Sequence, residues 1–309
     1  MNTAGPDLPL TATQCAICRR PTAAVEIYSA NLDASAFSAR VFSARRVPDG
    51  RHYRIVRCRE CGLVRSDPVL ATHDLERLYE ASAVDYVESI PNLRRTYAAE
   101  VMRLSRHGLR RESLLEIGCG NGFFLEEALE LGFRQVRGVE PSTRAVQRAD
   151  ARIAAWIERG PVRPGLYSEA SFDLVCMFQV LDHLPEPAET LKTVRHWLRP
   201  NGLLLCLNHD ISALPARILA ERSPIIDVEH TYLFDPSTMR RLLEVAGYRP
   251  LELRTVSNVH NLRHLVHLTP MPDRLRRTLL ARLRGSLGDW RLSLRLGNMA
   301  AVATPYGER

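Results

Sequence analysis

The chain has 309 residues, of which 45% are hydrophobic and 25% charged, a composition typical of a globular protein with a buried core. No run approaches the roughly 18 apolar residues that a membrane-spanning helix needs, and residues 1–13 lack the basic-then-apolar order of a secretory signal, so we expect a cytoplasmic protein with no membrane partner. The formal charge is +7, and Lys192 is the only lysine among the 42 basic residues, so the others are arginine. This bias indicates a codon preference and argues against a nucleic-acid partner.

Two pairs of cysteines mark the N-terminal part of the chain. After a disordered tail over residues 1–13, we predict a small zinc ribbon over residues 14–70. Its four cysteines, in two C-x-x-C patterns, are Cys15, Cys18, Cys58 and Cys61. Four thiolates satisfy a tetrahedral zinc ion and leave no open coordination position, so the predicted ion is structural. Two disulfides or four free thiols remain as alternatives, although disulfides do not suit a cytoplasmic protein.

Residues 71–112 are predicted to form a helical linker or lid. Apolar residues at spacings of three and four favour a helix over 93–106, and residues 74–80 also have a helical pattern. Tyr86 lies between these two segments and is a candidate lid residue that reaches the substrate.

Strand and helix patterns alternate from residue 113 onward, which predicts an α/β domain with a parallel sheet. The predicted strands are 113–117, 135–139, 172–178, 202–207 and 298–304, and the predicted helices are 123–131, 143–156, 188–198 and 236–246. The segment 208–235 fits neither pattern. Because it follows a predicted strand, we expect it to cap the ligand crevice of the sheet.

A glycine-rich turn connects the first of these strands to the first helix. Gly118, Gly120 and Gly122 alternate with other residues, a pattern that allows a ligand to approach the backbone at a helix N-terminus. The dinucleotide fingerprint needs a further glycine at position 123, which is Phe123 here. Glu140, 20 residues past Gly120, suits the two hydroxyls of a ribose. A structural turn that binds no cofactor is the alternative.

These motifs resemble those of the class I S-adenosylmethionine-dependent methyltransferases. The matching segments are LEIGCGNG (115–122), GVEPS (138–142), SFDLV (171–175), VLDHLPEP (180–187) and LRPNGLL (198–204). The resemblance implies a Rossmann-like, mostly parallel seven-stranded sheet with helices on both faces over residues 113–309, and S-adenosyl-L-methionine as cofactor. The glycine loop would hold the methionine part and Glu140 the ribose. The implied cofactor-binding residues are Glu116, Gly118, Cys119, Gly120, Gly122, Glu140, Pro141, Phe178 and Gln179.

A zinc ribbon in front of such a domain resembles the sugar C-methyltransferases of deoxysugar and antibiotic pathways. In those enzymes a Glu-His pair after the fifth strand lies in the active site, and Glu229 and His230 match this pair, with Asp227 in the place of a tyrosine. His230, with Glu229 beside it, is our first candidate for the base that takes the acceptor's proton, and His183 is the second. The alternative for His183 is a hydrogen bond to the backbone that fixes its loop.

The sequence therefore predicts methyl transfer to oxygen or carbon of a small-molecule or sugar-containing acceptor. One alternative is an RNA methyltransferase whose ribbon and arginines bind the phosphate backbone, and another is a protein that binds the cofactor without catalysis. We expect the arginines near the C-terminus on the solvent face of one or two amphipathic helices. The inward residues of these helices are predicted to be Leu275, Leu279, Leu280 and Leu283.

Overall fold

A computed structural model describes residues 10–20, 23–32, 50–81, 90–269, 271–283, 288 and 290–306. Residues 1–9 of the predicted tail and Tyr86 lie outside the described residues. Among the helices of the described part, none is long and apolar enough to cross a membrane.

The described elements alternate between strands and helices over most of the chain. The strands are β1 (Leu10–Thr11), β2 (Ala24–Tyr28), β3 (Ile55–Cys58), β4 (Val64–Ser66), β5 (Val69–Leu70), β6 (Ser113–Ile117), β7 (Gln135–Glu140), β8 (Ile157–Arg159), β9 (Phe172–Phe178), β10 (Leu198–His209), β11 (Tyr232–Leu233), β12 (Tyr248–Asn261) and β13 (Arg291–Pro305). The α-helices are α1 (Thr72–Ala81), α2 (Ile90–Arg103), α3 (Phe123–Glu130), α4 (Thr143–Val146), α5 (Pro187–Trp197), α6 (Leu214–Leu219), α7 (Pro236–Val245), α8 (Leu262–Leu268) and α9 (Asp273–Arg282).

Seven strands form the main sheet in the order β12-β13-β10-β9-β6-β7-β8. β13 pairs antiparallel with both of its neighbours, β10 and β12. The other described pairings of this sheet are parallel. Every residue of β6 and β9 is buried, as expected for central parallel strands that are covered on both faces. The predicted Rossmann-like, mostly parallel α/β fold is confirmed. The strand order reverses between β6 and β9, the point at which open α/β sheets bind ligands.

Two apolar layers cover the two faces of this sheet. On one face, α2 and α3 pack against β6 and β9 through Tyr97, Val101, Phe124, Leu125, Leu114 and Leu174. On the other face, α5 and α7 pack against β9 and β10 through Leu191, Val194, Met239, Leu242, Val175 and Leu204. Helices therefore cover both faces, as predicted.

The N-terminal cysteine unit shares its sheet and its core with the larger domain. Its four-stranded sheet has the order β11-β4-β3-β2, so that one strand, β11, comes from the segment after residue 230. Cys15, Cys58 and Leu63 lie in the same apolar layer as α5 and α7. The unit is therefore part of the larger domain's structure and does not stand apart from it.

The predicted N-terminal tail is too long. Leu10–Thr11 form β1, which pairs antiparallel with β5, and the Thr13 hydroxyl donates a hydrogen bond to the Ser66 carbonyl at 2.8 Å. Residues 10–13 have an ordered place because the cysteine unit supplies both a strand edge and a buried acceptor for them.

Several other boundaries in the larger domain differ from those that the sequence predicted. The helix predicted over 143–156 ends at Val146, because the Asp150 carboxylate accepts the Arg152 N–H at 2.9 Å and stabilises a turn there. The edge strand β12 was missed, and the cap over 208–235 contains α6 and β11. Leu275 is 50% exposed and does not point inward, although α9 is a helix as expected.

Candidate active site

One large cleft opens at the carboxyl ends of β6, β7, β9 and β10. Its volume is about 1550 Å³, and its lining runs from the glycine loop to the histidines beyond β9 and β10. A pocket for one drug-sized ligand measures roughly 300–1,000 Å³. The cleft therefore has room for a cofactor and a second molecule.

The glycine loop shapes one end of the cleft by its backbone conformation. Gly118, Gly120 and Gly122 have φ values of 69°, 58° and 75°, a region that disfavours side chains. A Cβ atom on Gly118 would also collide with Val180. The N–H groups of this loop are engaged within the protein: those of Gly118 and Cys119 donate to the Val139 carbonyl at 2.8 and 3.3 Å. The loop thus offers close approach and carbonyl oxygens to a ligand more than free N–H groups.

Glu140 holds this loop while facing the cleft. Its two carboxylate oxygens accept the N–H groups of Gly120 and Ser142, each at 2.8 Å. Burial raises the pKa of Glu140, and these two hydrogen bonds oppose the rise. Each oxygen keeps a further lone pair, so the carboxylate can also accept hydroxyl groups of a ribose.

Glu116 is a second buried acid at the same end of the cleft. Burial, with the nearby charge of Glu140, raises its pKa well above the usual value. Its Oε2 atom has no hydrogen-bond partner among the described residues. A cationic group such as the α-ammonium of an amino acid would donate a hydrogen bond to this carboxyl. S-adenosylmethionine carries such an ammonium group at its methionine end. The residues therefore fit the implied cofactor.

An aromatic pair and a strained glutamine form the wall beyond the loop. The Phe178 ring stacks on Tyr97 of α2 with centroids 4.0 Å apart and an interplanar angle of 14°. Gln179 has a φ of 59°, and its Oε1 atom lacks a partner in the described part of the chain. A non-glycine residue in this conformation at the end of a central strand is typical of a ligand site.

Seven of the nine residues predicted to bind the cofactor line the cleft: Glu116, Gly118, Gly120, Glu140, Pro141, Phe178 and Gln179. Cys119 and Gly122 lie behind it. The Cys119 side chain points at Gly138, where a Cβ atom would approach its sulfur to 2.5 Å, and the Gly122 N–H donates to the Cys119 carbonyl at 2.9 Å. These two residues support the loop from the side of the sheet.

The other end of the cleft contains a cluster of histidines and acids. The ring centroids of His183 and His230 are 4.6 Å apart, and those of His209 and His230 are 5.0 Å apart. His230 Nδ1 lies 2.7 Å from Asp227 Oδ1. Because a carboxylate only accepts, this ring nitrogen carries the proton, and the Nε2 atom of His230 points toward Asp182 at 3.9 Å.

His183 forms a hydrogen bond to the backbone, as its alternative role in the sequence analysis required. Its Nδ1 atom lies 3.0 Å from the Glu229 carbonyl and 3.2 Å from the Tyr79 hydroxyl. The carbonyl can only accept, so Nδ1 is protonated and Nε2 of the neutral ring keeps its lone pair. This hydrogen bond fixes the tautomer that leaves Nε2 available as a base.

The three imidazoles have different affinities for protons. Burial lowers the pKa of His183, and it lowers the pKa of His209 to about 4 with a contribution from the charge of His230. Burial alone would also lower the pKa of His230, but Asp227, Asp182 and Glu229 raise it to about 9. At neutral pH, His230 is therefore cationic and the other two rings are neutral.

Several residues of this cluster were not identified from the sequence. Asp182 was quoted within a motif. Asp227 was noted as a departure from a family and as a polar residue of the predicted cap, but not as a partner of His230, although its spacing of three from that residue signals a local contact. Tyr79, on α1, was missed because its helix is distant in sequence from both histidines. Asn208 donates to Asp182 Oδ1 at 3.0 Å, whereas Asp182 Oδ2 has no hydrogen-bond partner among the described residues.

The four cysteines converge as a zinc site requires. The Sγ atoms of Cys15 and Cys61, and those of Cys18 and Cys58, are 3.3 Å apart, and all four sulfurs lie within 4.8 Å of one another. Sulfurs bound to one tetrahedral zinc at about 2.3 Å are separated by about 3.8 Å. The cysteines therefore fit the implied ion with small adjustments.

Comparisons with known proteins point to one family. A family model described as "Methyltransferase domain" matches residues 90–253, more than half of the chain. The ubiquinone biosynthesis O-methyltransferase of Cupriavidus pinatubonensis is 27% identical over 160 residues, which cover 48% of this chain and 64% of that protein. The enzyme of the same name from a Caulobacter species is 36% identical over 123 residues, which cover 37% of this chain and 47% of that protein. The chain thus spans less than two thirds of the length of these relatives. Among solved structures, the YcgJ protein of Bacillus subtilis is 15% identical, with a TM-score of 0.48 over 69% of this chain and 99% of that chain.

Proposed function

The chain belongs to the methyltransferase domain family, and from this premise we propose that it transfers the methyl group of S-adenosyl-L-methionine to oxygen or carbon of a small-molecule or sugar-containing acceptor. The observation that carries the proposal is the single cleft that joins Glu116 and Glu140 at one end to His183 and His230 at the other. A methyl donor and its acceptor must meet in one cavity, because the transfer is an in-line displacement.

The cofactor end of the cleft offers complementary groups to each part of the donor. When bound, S-adenosyl-L-methionine supplies a methyl group that is attached to a positively charged sulfur. The sulfur is the leaving group and becomes a neutral thioether. Glu116 would pair with the ammonium group, and Glu140 would accept the ribose hydroxyls. Gly118 and Gly120 allow close approach, while the stacked Phe178 excludes water from the wall of the cleft.

The histidine end is proposed to handle the acceptor's proton. The hydrogen bonds support His183 as the base, because its Nδ1–H is held by the Glu229 carbonyl and its Nε2 atom keeps a lone pair. His230, held as a cation by Asp227, would stabilise negative charge that develops on the acceptor. This assignment reverses the order that the sequence suggested, in which His230 was the first candidate. Glu229, which the sequence placed beside His230 as a catalytic candidate, would instead orient His183 through its backbone carbonyl.

Two further observations support the class of acceptor. The relatives named above are O-methyltransferases of ubiquinone biosynthesis, and the motif with Glu229 and His230 resembles that of sugar C-methyltransferases. Polar residues from the outer strands, among them Asn258, His260 and Asn298, line the cleft beyond the histidines. Such side chains can bind hydroxyl or carbonyl groups of an acceptor.

We also propose one structural zinc ion at the four cysteines and a cytoplasmic location. The sulfurs are arranged closely enough to bind one ion, and four thiolate ligands leave no open position for chemistry. A reducing compartment keeps such thiols available to the metal.

The test is methyl transfer by the purified protein. It would be incubated with methyl-labelled S-adenosyl-L-methionine and a panel of nucleotide sugars and hydroxylated aromatic compounds, and labelled products would be identified by mass spectrometry. We expect transfer to one acceptor class, with turnover reduced about 100-fold or more in His183→Ala. Cofactor binding without transfer to any member of the panel or to a cell extract would support the non-catalytic alternative instead.

A further inference from the structure

The cysteine unit is joined to the histidine end of the cleft by direct backbone contacts. β4, which follows Cys61 by three residues, pairs antiparallel with β11, with Arg65 opposite Tyr232. The Ser66 N–H donates to the Thr231 carbonyl at 2.9 Å, and the Ser66 hydroxyl donates to the His230 carbonyl at 2.9 Å. The last residue of β4 therefore contacts the backbone of a proposed active-site residue.

The same segment is held from its other side by the loop after β9. The N–H groups of Thr231 and Tyr232 both donate to the Asp182 carbonyl, at 3.0 and 3.1 Å. Ser66 is fully buried, and His230 is 6% exposed. His230 is thus clamped between Ser66 on the ribbon side and the loop that carries His183.

The metal-binding turns lie directly behind this clamp. The Cys58 N–H donates to the Leu63 carbonyl at 2.9 Å, so the turn that carries Cys58 and Cys61 leads straight into β4. The Tyr232 hydroxyl donates to the carbonyl of Gln14, next to Cys15, at 3.0 Å. A change in the arrangement of the four sulfurs would therefore shift Ser66, which contacts the His230 carbonyl, and Tyr232, which lies two residues after His230.

From these contacts we propose that Ser66 is a positioning residue for His230, and that the four-cysteine site acts on methyl transfer through it. The cysteine unit then serves the acceptor end of the cleft, and the cofactor end, held by β6 and β7, is independent of it. This inference rests on the proposed function for its catalytic consequence. The placement of His230 can be measured without it.

The first experiment compares Ser66→Ala with Ser66→Thr, which keeps the hydroxyl. Because misplacement of a catalytic group by about 1 Å costs on the order of 100-fold in rate, we expect kcat to fall about 10- to 100-fold in Ser66→Ala. The dissociation constant of the cofactor should change by less than about twofold, since the described contacts of Ser66 with Thr13 and with the Thr231 and His230 backbone lie away from that end. Ser66→Thr should recover most of the rate. The matched control is Thr304→Val, which removes a buried hydroxyl-to-carbonyl bond of 3.0 Å to Gly202 near the amino end of β10.

The second experiment reads the position of His230 directly. In protein labelled with ¹⁵N-histidine, the pKa of His230 should fall below its value of about 9 in Ser66→Ala and after removal of zinc by a chelator, because displacement of the ring weakens its contact with Asp227. Restoring zinc should restore the value. An unchanged His230 titration in both cases would overturn the proposal even if Ser66→Ala is slow or unstable. If no acceptor is ever methylated but His230 responds as expected, the proposed function fails and the positioning role stands.

Discussion

Asp227 is the residue that fixes both the position and the charge of His230. Its Oδ1 atom accepts the backbone N–H groups of Glu229 and His230, at 2.9 and 3.1 Å, in addition to its contact with His230 Nδ1. One carboxylate oxygen therefore shapes the turn and orients the ring. The other charged or titratable groups that act on this ring are Asp182, Glu229, His183 and His209.

The proposed roles of the two histidines predict a bell-shaped pH dependence. The rate should rise as His183 loses its proton, below pH 6.5, and should fall as His230 loses its proton near pH 9. Asp227→Asn should move the alkaline limb to lower pH, because the imidazolium loses its first partner. The measurement is kcat/KM between pH 5 and 10. Asp235→Asn, at the start of α7, is the control that should leave both limbs in place.

The same variant should lose stability in a defined pH range. The pKa of His230 is raised on folding, so its stabilisation is fully present below pH 6.5 and is lost as the pH rises through about 9. We expect Asp227→Asn to lower the free energy of unfolding by about 3 kcal/mol at pH 6.5. The difference from the original protein should shrink toward pH 10, as measured by urea unfolding at each pH. A difference that is constant with pH would show that Asp227 acts only through the backbone.

The proposed roles of Glu116 and Glu140 can be distinguished, because each acid is proposed to contact a different part of the cofactor. Glu116→Gln should weaken binding of S-adenosyl-L-methionine about tenfold but leave binding of 5′-methylthioadenosine unchanged, since that compound lacks the ammonium group. Glu140→Gln should weaken both ligands, because both contain the ribose. Calorimetric titration gives the dissociation constants, and Glu158→Gln, at an exposed position of strand β8, is the control. Equal losses for both ligands in Glu116→Gln would contradict its placement.

At the scale of elements, α2 packs against the wall of the cleft through the ring of Tyr97. Tyr97 stacks on Phe178 and also meets the edge of Phe124, with centroids 5.8 Å apart. Arg94, on the same helix, forms an ion pair with Glu126 of α3. The helix that the sequence suggested as a linker or lid is thus anchored to the wall of the cofactor site.

Replacing this anchor should affect both stability and binding. Tyr97→Leu keeps an apolar side chain but removes the stacked ring, so the free energy of unfolding should fall by about 1 kcal/mol or more. Cofactor affinity should fall as well, because Tyr97 lines the cleft. Urea unfolding and calorimetric titration measure the two effects. Tyr306→Leu, at a residue that is half exposed, should change neither.

The elements around the cofactor were predictable because their signals are local. The buried run of β6, the three glycines and the acid at Glu140 occur within 28 consecutive residues, and each of these features has its own sequence pattern. β12 was missed because much of this edge strand is only partly buried, so that its sequence lacks a continuous apolar run. The helix after β7 was overextended because apolar spacing continues past Asp150, where side-chain hydrogen bonds form a turn.

The acceptor end was predictable only in part, because it is assembled from distant segments. His183 and His230 were both identified, yet nothing in the sequence places Tyr79 of α1 next to His183, or Ser66 next to His230. These contacts depend on the packing of the cysteine unit against the catalytic domain. The pairing of Asp227 with His230 was within reach, since the two residues are three positions apart.

At the scale of the whole molecule, the cysteine unit and the catalytic domain are one structure. They share strand β11 in one sheet, and Cys15, Cys58 and Leu63 lie in the apolar layer that also contains Val175 and Leu242. A separate substrate-binding ribbon would have its own core and an exposed linker. Its integration instead supports a role in holding the active site, and it weakens the alternative in which the ribbon is a module for RNA.

This integration predicts that zinc release and loss of the main sheet occur together. In a urea titration, release of zinc to a coloured indicator and the loss of far-UV circular dichroism should have the same midpoint. The reason is that opening the turns that carry the four cysteines exposes the core beneath α5 and α7. Cys58→Ser should lower the midpoint of the whole transition and should not produce a second one. The control is the same titration with Arg20→Gln, which alters only an exposed ion pair with Glu60 at 3.6 Å. Zinc release at a clearly lower urea concentration than the loss of the sheet would show that the cysteine unit unfolds by itself, since a domain with its own core melts independently of its neighbour.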